Sequence, residues 1–242
     1  MPKNLSKPLA NTPPLPAEAG EVGRPPLWHT LGLVALLLAV AAVGTLSTLG
    51  EAPPRGTASR IVGGYLPLVV VNGLLAVYVA RVGRGRNALR ELVGRRWATA
   101  GRALVDAALA LLAVAFIVLT EYTWAAAFGA PNRAWSDALL PTTTLERAVW
   151  VVVAVTVGTS EELVYRGYLQ HELGLLARSS AFGLVAQALL FALAHGQQGA
   201  GAVARTFVYG LGFGVLARAR SSLLPGMIAH VGLDLSAGFV HR

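Results

Sequence analysis

Apolar positions in this chain fall in long, nearly unbroken blocks rather than in the short amphipathic patterns of a soluble domain. Seven blocks can be read: Leu27 to Leu49, Ile61 to Val82, Ala103 to Phe128, Ala148 to about Leu169, Ala181 to His195, Ala200 to Ala217, and Leu223 to Val240. A helix needs about 20 mainly apolar residues to cross the hydrocarbon core, so the first three suffice and the fifth is short. The fold class that follows is all-α, a polytopic transmembrane helical bundle of about seven spans.

Composition agrees, with hydrophobic residues at 55% and charged residues at 13%. Residues 1–26 carry Pro2, Pro8, Pro13, Pro14, Pro16, Pro25 and Pro26 and read as a disordered, Pro-rich cytoplasmic tail. Residues 27–144 form the N-terminal transmembrane helices, interrupted by an Arg-rich loop at 81–102, and residues 145–240 form a second transmembrane core. The first apolar block exceeds a signal-peptide core and lacks a small-residue cleavage site, so it reads as a spanning helix. Internal repeats are absent, against a transporter built from duplicated halves. With no cysteine there is no disulfide framework, thiolate metal site or cysteine nucleophile.

The net charge of +8 is spread as a topology signal, not as a nucleic-acid docking face. Arg81, Arg84, Arg86, Arg90, Arg95, Arg96 and Arg102 stand against the single acid Glu91, which assigns their loop to the cytoplasm. Alternating helices then put thirteen basic residues inside and five outside, with the amino terminus cytoplasmic and the carboxyl terminus external. Eighteen arginines against two lysines point to a GC-rich genome, a bacterial source and its plasma membrane.

The chemistry begins in TSEELVYRG, where Glu161, Glu162 and Arg166 end an apolar run. One charged side chain at the centre of a bilayer costs about 2.5–3.5 kcal/mol on insertion scales, so three together need pairing, a wet cavity or a chemical use. Residues four apart share a helix face, so Glu162 and Arg166 form a structural ion pair while Glu161 projects about 100° away. A pair needs one acid, which leaves Glu161 an acceptor for water. His195 can share that water. His230 and Asp234, again four apart, allow the carboxylate to orient the imidazole.

In their order on separate apolar helices, the EExxxR of Glu161, Glu162 and Arg166, the FxxxH of Phe191 and His195, and the HxxxD of His230 and Asp234 resemble the CAAX-protease and bacteriocin-processing (CPBP) family of intramembrane proteases. The resemblance covers roughly residues 145 to 240. It implies an endopeptidase acting on a membrane-associated protein, with Glu161 and His195 activating water and His230 and Asp234 stabilising the oxyanion. Family members often carry asparagine at the last position, and an ionised aspartate cannot donate a hydrogen bond, so Asp234 has three other readings: orienting His230, binding a metal, or acting protonated. The family is commonly called metalloprotease. Glu161, His195 and His230 would make a ligand set for a catalytic zinc with one open position, although the HExxH of soluble zinc proteases is absent. A metal-free glutamate mechanism is the alternative. The rival classes are a non-catalytic membrane binding protein, such as an immunity factor, and a proton-coupled transporter. The expected partners are a protein or peptide substrate and the lipid bilayer, with no nucleic acid; the sequence leaves oligomeric state open.

Other polar residues in apolar segments read as structural. Asp106 belongs at the cytoplasmic interface, Glu121 in the outer half, and Arg205 is expected to snorkel. His29 is expected to be solvated. The glycines from Gly196 to Gly214 would permit close helix packing. One difficulty is depth. In straight helices His195 lies about 22 Å from the cytoplasmic start of its segment and His230 about 11 Å from its own, so the two meet only if helices are tilted, staggered or broken. A cytoplasmic extension of the fifth helix, with Ala181 to Gln187 partly interfacial, would resolve it.

Overall fold

The computed structural model describes residues 25–48, 56–82, 88–129 and 134–240. Residues 1–24 of the Pro-rich tail, and Arg84 and Arg86 of the basic loop, lie outside them. All regular structure among the described residues is helical, with one isolated bridge between Gly94 and Ser222. In chain order the helices are α1 (Leu27–Thr48), α2 (Thr57–Val82), α3 (Ala88–Val93), α4 (Ala100–Phe128), α5 (Ala134–Leu139), α6 (Thr144–Leu176), α7 (Ser180–Leu193), α8 (Ala200–Arg220) and α9 (Leu224–Val240). The protein is an integral membrane protein, an all-α polytopic bundle.

All seven apolar blocks are helices, but they are not equivalent. Five (α1, α2, α4, α6 and α8) are long and apolar enough to cross a membrane, while α7 and α9 are shorter apolar helices. On α4, Leu104, Leu111, Leu112 and Leu119 are each more than 60% exposed, an apolar face suited to lipid. The fourth block also runs on: α6 has 33 residues, about 50 Å of helix, well beyond the hydrocarbon thickness.

Local signals set the helix ends. A capping box starts α6, with Glu146 N donating to Thr143 Oγ1 at 3.2 Å and Thr143 N donating to Glu146 Oε2 at 3.0 Å. Ser179 caps α7 by accepting from Phe182 N at 3.2 Å. The turns after α6 and α8 close alike. Arg178 and Ser221 take left-handed conformations (φ 50° and 49°), while Ser179 N reaches Gly174 O and Ser222 N reaches Ala217 O. Those bonds satisfy carbonyls that a helix end leaves orphaned.

Helix α6 is the central post. Its residues Leu163, Val164, Tyr165, Tyr168, Leu169 and Leu173 form the core with Leu33 and Leu37 of α1, Val79 of α2, Phe191 of α7 and Leu223. Glycines allow the tight crossings. A Cβ on Gly183 would collide with Gln170 O of α6, and one on Gly210 of α8 would lie 2.9 Å from Ala188 Cα of α7. The glycine-rich stretch thus packs helices closely, as its composition predicted.

Stagger answers the depth problem. Leu223, just before α9, packs at the level of Gly167, where a Cβ would lie 3.1 Å from Leu223 Cδ1. Helix α6 continues nine residues past Gly167 to Leu176, about 14 Å, before α7 turns back. The α6–α7 hairpin therefore overhangs the α8–α9 turn, which brings His195 and His230 to similar heights. Gln187 is fully buried and donates to Gly210 O at 2.9 Å, so α7 enters the bundle by that residue.

The arginine loop and the α6–α7 and α8–α9 turns lie at one end. Arg95 N donates to Ser221 O at 2.8 Å, and Leu223 N to Val93 O at 2.9 Å. The positive-inside rule predicts that this end faces the cytoplasm, an orientation that labelling tests. In this cysteine-free chain a single cysteine at Asn132 should label from outside intact cells and one at Asn87 should not; labelling of Asn87 from outside would invert the orientation.

Candidate active site within the bundle

From Glu162 to Leu169 the backbone of α6 is π-helical, and Gln170 N donates to Tyr165 O, five residues back. Such wide turns are rare and concentrate at functional sites. Seven of the eight residues are buried, so the stretch faces neighbours on nearly every side.

Within it, the Glu162 and Arg166 side chains are fully buried, with Oε1 and Nη1 3.1 Å apart. The contact is an ion pair by distance only, because no guanidinium nitrogen of Arg166 has an aligned hydrogen bond. Aromatic faces compensate. The guanidinium carbon lies 4.1 Å from the centroid of Phe191 and 5.3 Å from that of Phe213, a cation–π sandwich in a desolvated site.

His230 of α9 joins the two acids. Its Nδ1 is 3.2 Å from Glu162 Oε1 and its Nε2 is 3.5 Å from Glu161 Oε2. Only a doubly protonated ring donates to both carboxylates at once. Glu161 and His230 keep 15% and 13% side-chain exposure, against none for Glu162, so the outer acid is the one a reactant can reach. Its Oε2 has no hydrogen-bond partner.

His195 and His230 both pack on Phe191, with ring centroids 4.8 Å and 6.1 Å away. The His195 Nδ1 lies 2.8 Å from Phe191 O, a contact that requires the proton on Nδ1 and leaves Nε2 as the acceptor. His195 thus stands beside the Glu161–His230 pair without forming an ion pair with either acid among the described residues.

Asp234 is near by charge rather than by contact. Among the described residues its carboxyl forms no hydrogen bond with His230, and the hydrogen bond that orients His230 runs from its Nδ1 to Glu162 Oε1. The backbone O of Asp234 accepts from Trp150 Nε1 at 2.8 Å, which ties α9 to α6.

For a metal, the expected set Glu161, His195 and His230 does not fit as arranged. Glu161 and His230 approach each other, but among the described residues no three His, Asp or Glu side chains are grouped as ligands. No step below is routed through a metal.

Sequence reasoning did not single out Phe213 or Gly226. A Cβ on Gly226 would sit 2.8 Å from Glu162 Oε2, and one on Gly158 2.9 Å from Val231 Cγ2, so α6 and α9 meet through glycines on both sides. Gly226→Ala should push a carboxylate already held by two partners. We expect the variant to fold and to lose most of its activity; normal activity would mean that Glu162 has slack.

One outlying expectation changes. Arg205 does not snorkel: it is 7% exposed and pairs with Glu121 at 3.1 Å, beside Tyr209, whose hydroxyl donates to the same carboxylate. His29 is half-buried, with Nδ1 2.8 Å from the Tyr78 hydroxyl. Asp106 is buried, paired with Arg220 at 2.6 Å and bonded by Trp97 Nε1.

Residues 143–236 match the model of a family described as type II CAAX prenyl endopeptidase Rce1-like. The match spans all seven motif residues from Glu161 to Asp234 and agrees with the family that those motifs resemble. No curated protein and no solved structure matches the chain. The likeness is confined to residues 143–236, about two-fifths of the chain.

Proposed function

We propose that this Rce1-like region makes the chain an intramembrane endopeptidase, hydrolysing a peptide bond of a membrane-associated protein with water activated by Glu161. One observation carries the reading. Of two adjacent acids, Glu162 is fully buried and engaged through Oε1 by Arg166 and His230, whereas the Glu161 side chain stays 15% exposed, with its Oε2 free of hydrogen bonds and 3.5 Å from His230 Nε2.

In the proposed step Glu161 accepts a proton from water as the water oxygen bonds to the scissile carbonyl carbon. The carbonyl π pair moves onto oxygen. That oxyanion is met by N–H of His230, held in place by Glu162, with the Arg166 charge behind it. Collapse breaks the C–N bond, and Glu161 returns its proton to the departing amine. His195, with Nε2 as acceptor, is proposed to hold the second hydrogen of the water. Asp234 contributes its field to His230.

The proposed setting is a bacterial plasma membrane with the amino terminus inside. Prenylated carboxyl termini would usually be missing there, so a sorting-signal, leader or signalling-protein substrate is the fitting class. Purified protein in detergent should cleave such a membrane-anchored peptide, and should do so in the presence of chelator. Loss of cleavage in chelator and recovery with zinc would instead make Glu161, His195 and His230 metal ligands. Substrate binding without cleavage would return the chain to a non-catalytic binding protein, and proton flux without cleavage to a transporter.

A further inference from the structure

Where the overhanging α6–α7 hairpin, the arginine loop and the α8–α9 turn meet, they enclose a cavity of about 990 Å³. It is lined by Arg90, Arg95, Arg178 and Arg218 against one acid, Glu91, and Arg166 also lines it. Arg218 is partly committed, donating to Ser180 O and Oγ. Arg90, Arg95 and Arg178 form no salt bridge among the described residues and are exposed. Three free guanidinium groups and one carboxylate leave a net charge of +2 before Arg218 and Arg166 are added. Such a concentration repels itself unless an anion is present.

We propose that this cavity is a binding site for the phosphate of an anionic phospholipid. Three features favour that occupant. The cavity lies where α6 and α8 run out and α7 and α9 begin, at the end that carries the arginine loop and hence at headgroup level of one leaflet. Its wall includes Leu92, Leu175 and Leu223, and Leu175 is 39% exposed, so acyl chains have an apolar exit beside a basic mouth. Arginine forks match phosphate oxygens two at a time. Nothing in this assignment depends on peptide cleavage.

The test is lipid retention by the detergent-purified full chain, measured by native mass spectrometry during titration with phosphatidylglycerol or phosphatidylcholine. Phosphatidylglycerol should bind at least tenfold more tightly, and more weakly as salt rises. Arg90→Gln/Arg95→Gln/Arg178→Gln, which leaves Arg218 and Arg166 in place, should erase the preference. The loss should be on the order of a hundredfold, about fivefold per arginine. If the triple variant misfolds, each single change should still cost about fivefold, and Glu91→Gln should strengthen binding. Millimolar inorganic phosphate should compete with the lipid. Equal retention of the two lipids, or unchanged retention in the variants, would overturn the proposal. Phosphate binding without any phosphatidylglycerol preference would replace the lipid by a free anion, and arginine-dependent capture of an acidic peptide in place of lipid would make the cavity a peptide site.

Discussion

Replacing Glu161 by Gln is expected to lower turnover by roughly 10²–10⁴ while the protein accumulates and melts as wild type does. The amide keeps the shape of the carboxylate but cannot take a proton. Glu161 is not the acid paired with Arg166, so its neutralisation leaves the buried guanidinium still paired with Glu162. A retained KM with a collapsed kcat would assign Glu161 to the chemical step. Wild-type turnover in the variant would sink the proposed base and move attention to His195.

The neighbouring substitution should behave in the opposite way. Glu162→Ala strips the carboxylate paired with a fully buried guanidinium and removes the hydrogen-bond partner of His230 Nδ1. Breaking a buried pair by removing one member costs about 3–5 kcal/mol, so the variant should lose on the order of 10 °C in Tm and accumulate poorly. Activity would fall as a consequence. Glu162→Ala/Arg166→Met, which removes both charges, should recover much of the stability and none of the activity. A Glu162→Ala protein as stable as wild type yet inactive would exchange the roles of the two glutamates.

Much of this was legible in the sequence because hydrocarbon is a demanding solvent. A helix that must stay apolar for 20 residues writes its position plainly, and α1, α2 and α4 begin and end within a few residues of their apolar blocks. The i,i+4 spacing of Glu162 and Arg166 was enough to pair them. What could not be read was anything depending on the relative height or rotation of two helices. The overhang of α6 past Gly167 has no residue signature, since the extension is built from residues that suit an interface or a helix equally well. The π-helical stretch is likewise silent, as ELVYRGYL contains nothing that forbids an ordinary α-helix. Because α6 and α9 meet where they do, His230 is oriented by Glu162, three helices away in sequence, rather than by Asp234 one turn along. Arg205 was assigned to water because its partner, Glu121, is 84 residues distant.

The shortness of α7 and α9 sets where water stands. At 14 and 17 residues they reach about 21 and 26 Å, less than the roughly 30 Å of hydrocarbon they would need to fill. A bilayer meeting helices that short thins around them, so the aqueous front dips toward the level of Glu161 on that flank. The proposed hydrolysis would then draw its water from a dimple in the membrane, and a thicker, more ordered bilayer would fill the dimple and starve the reaction without touching one side chain.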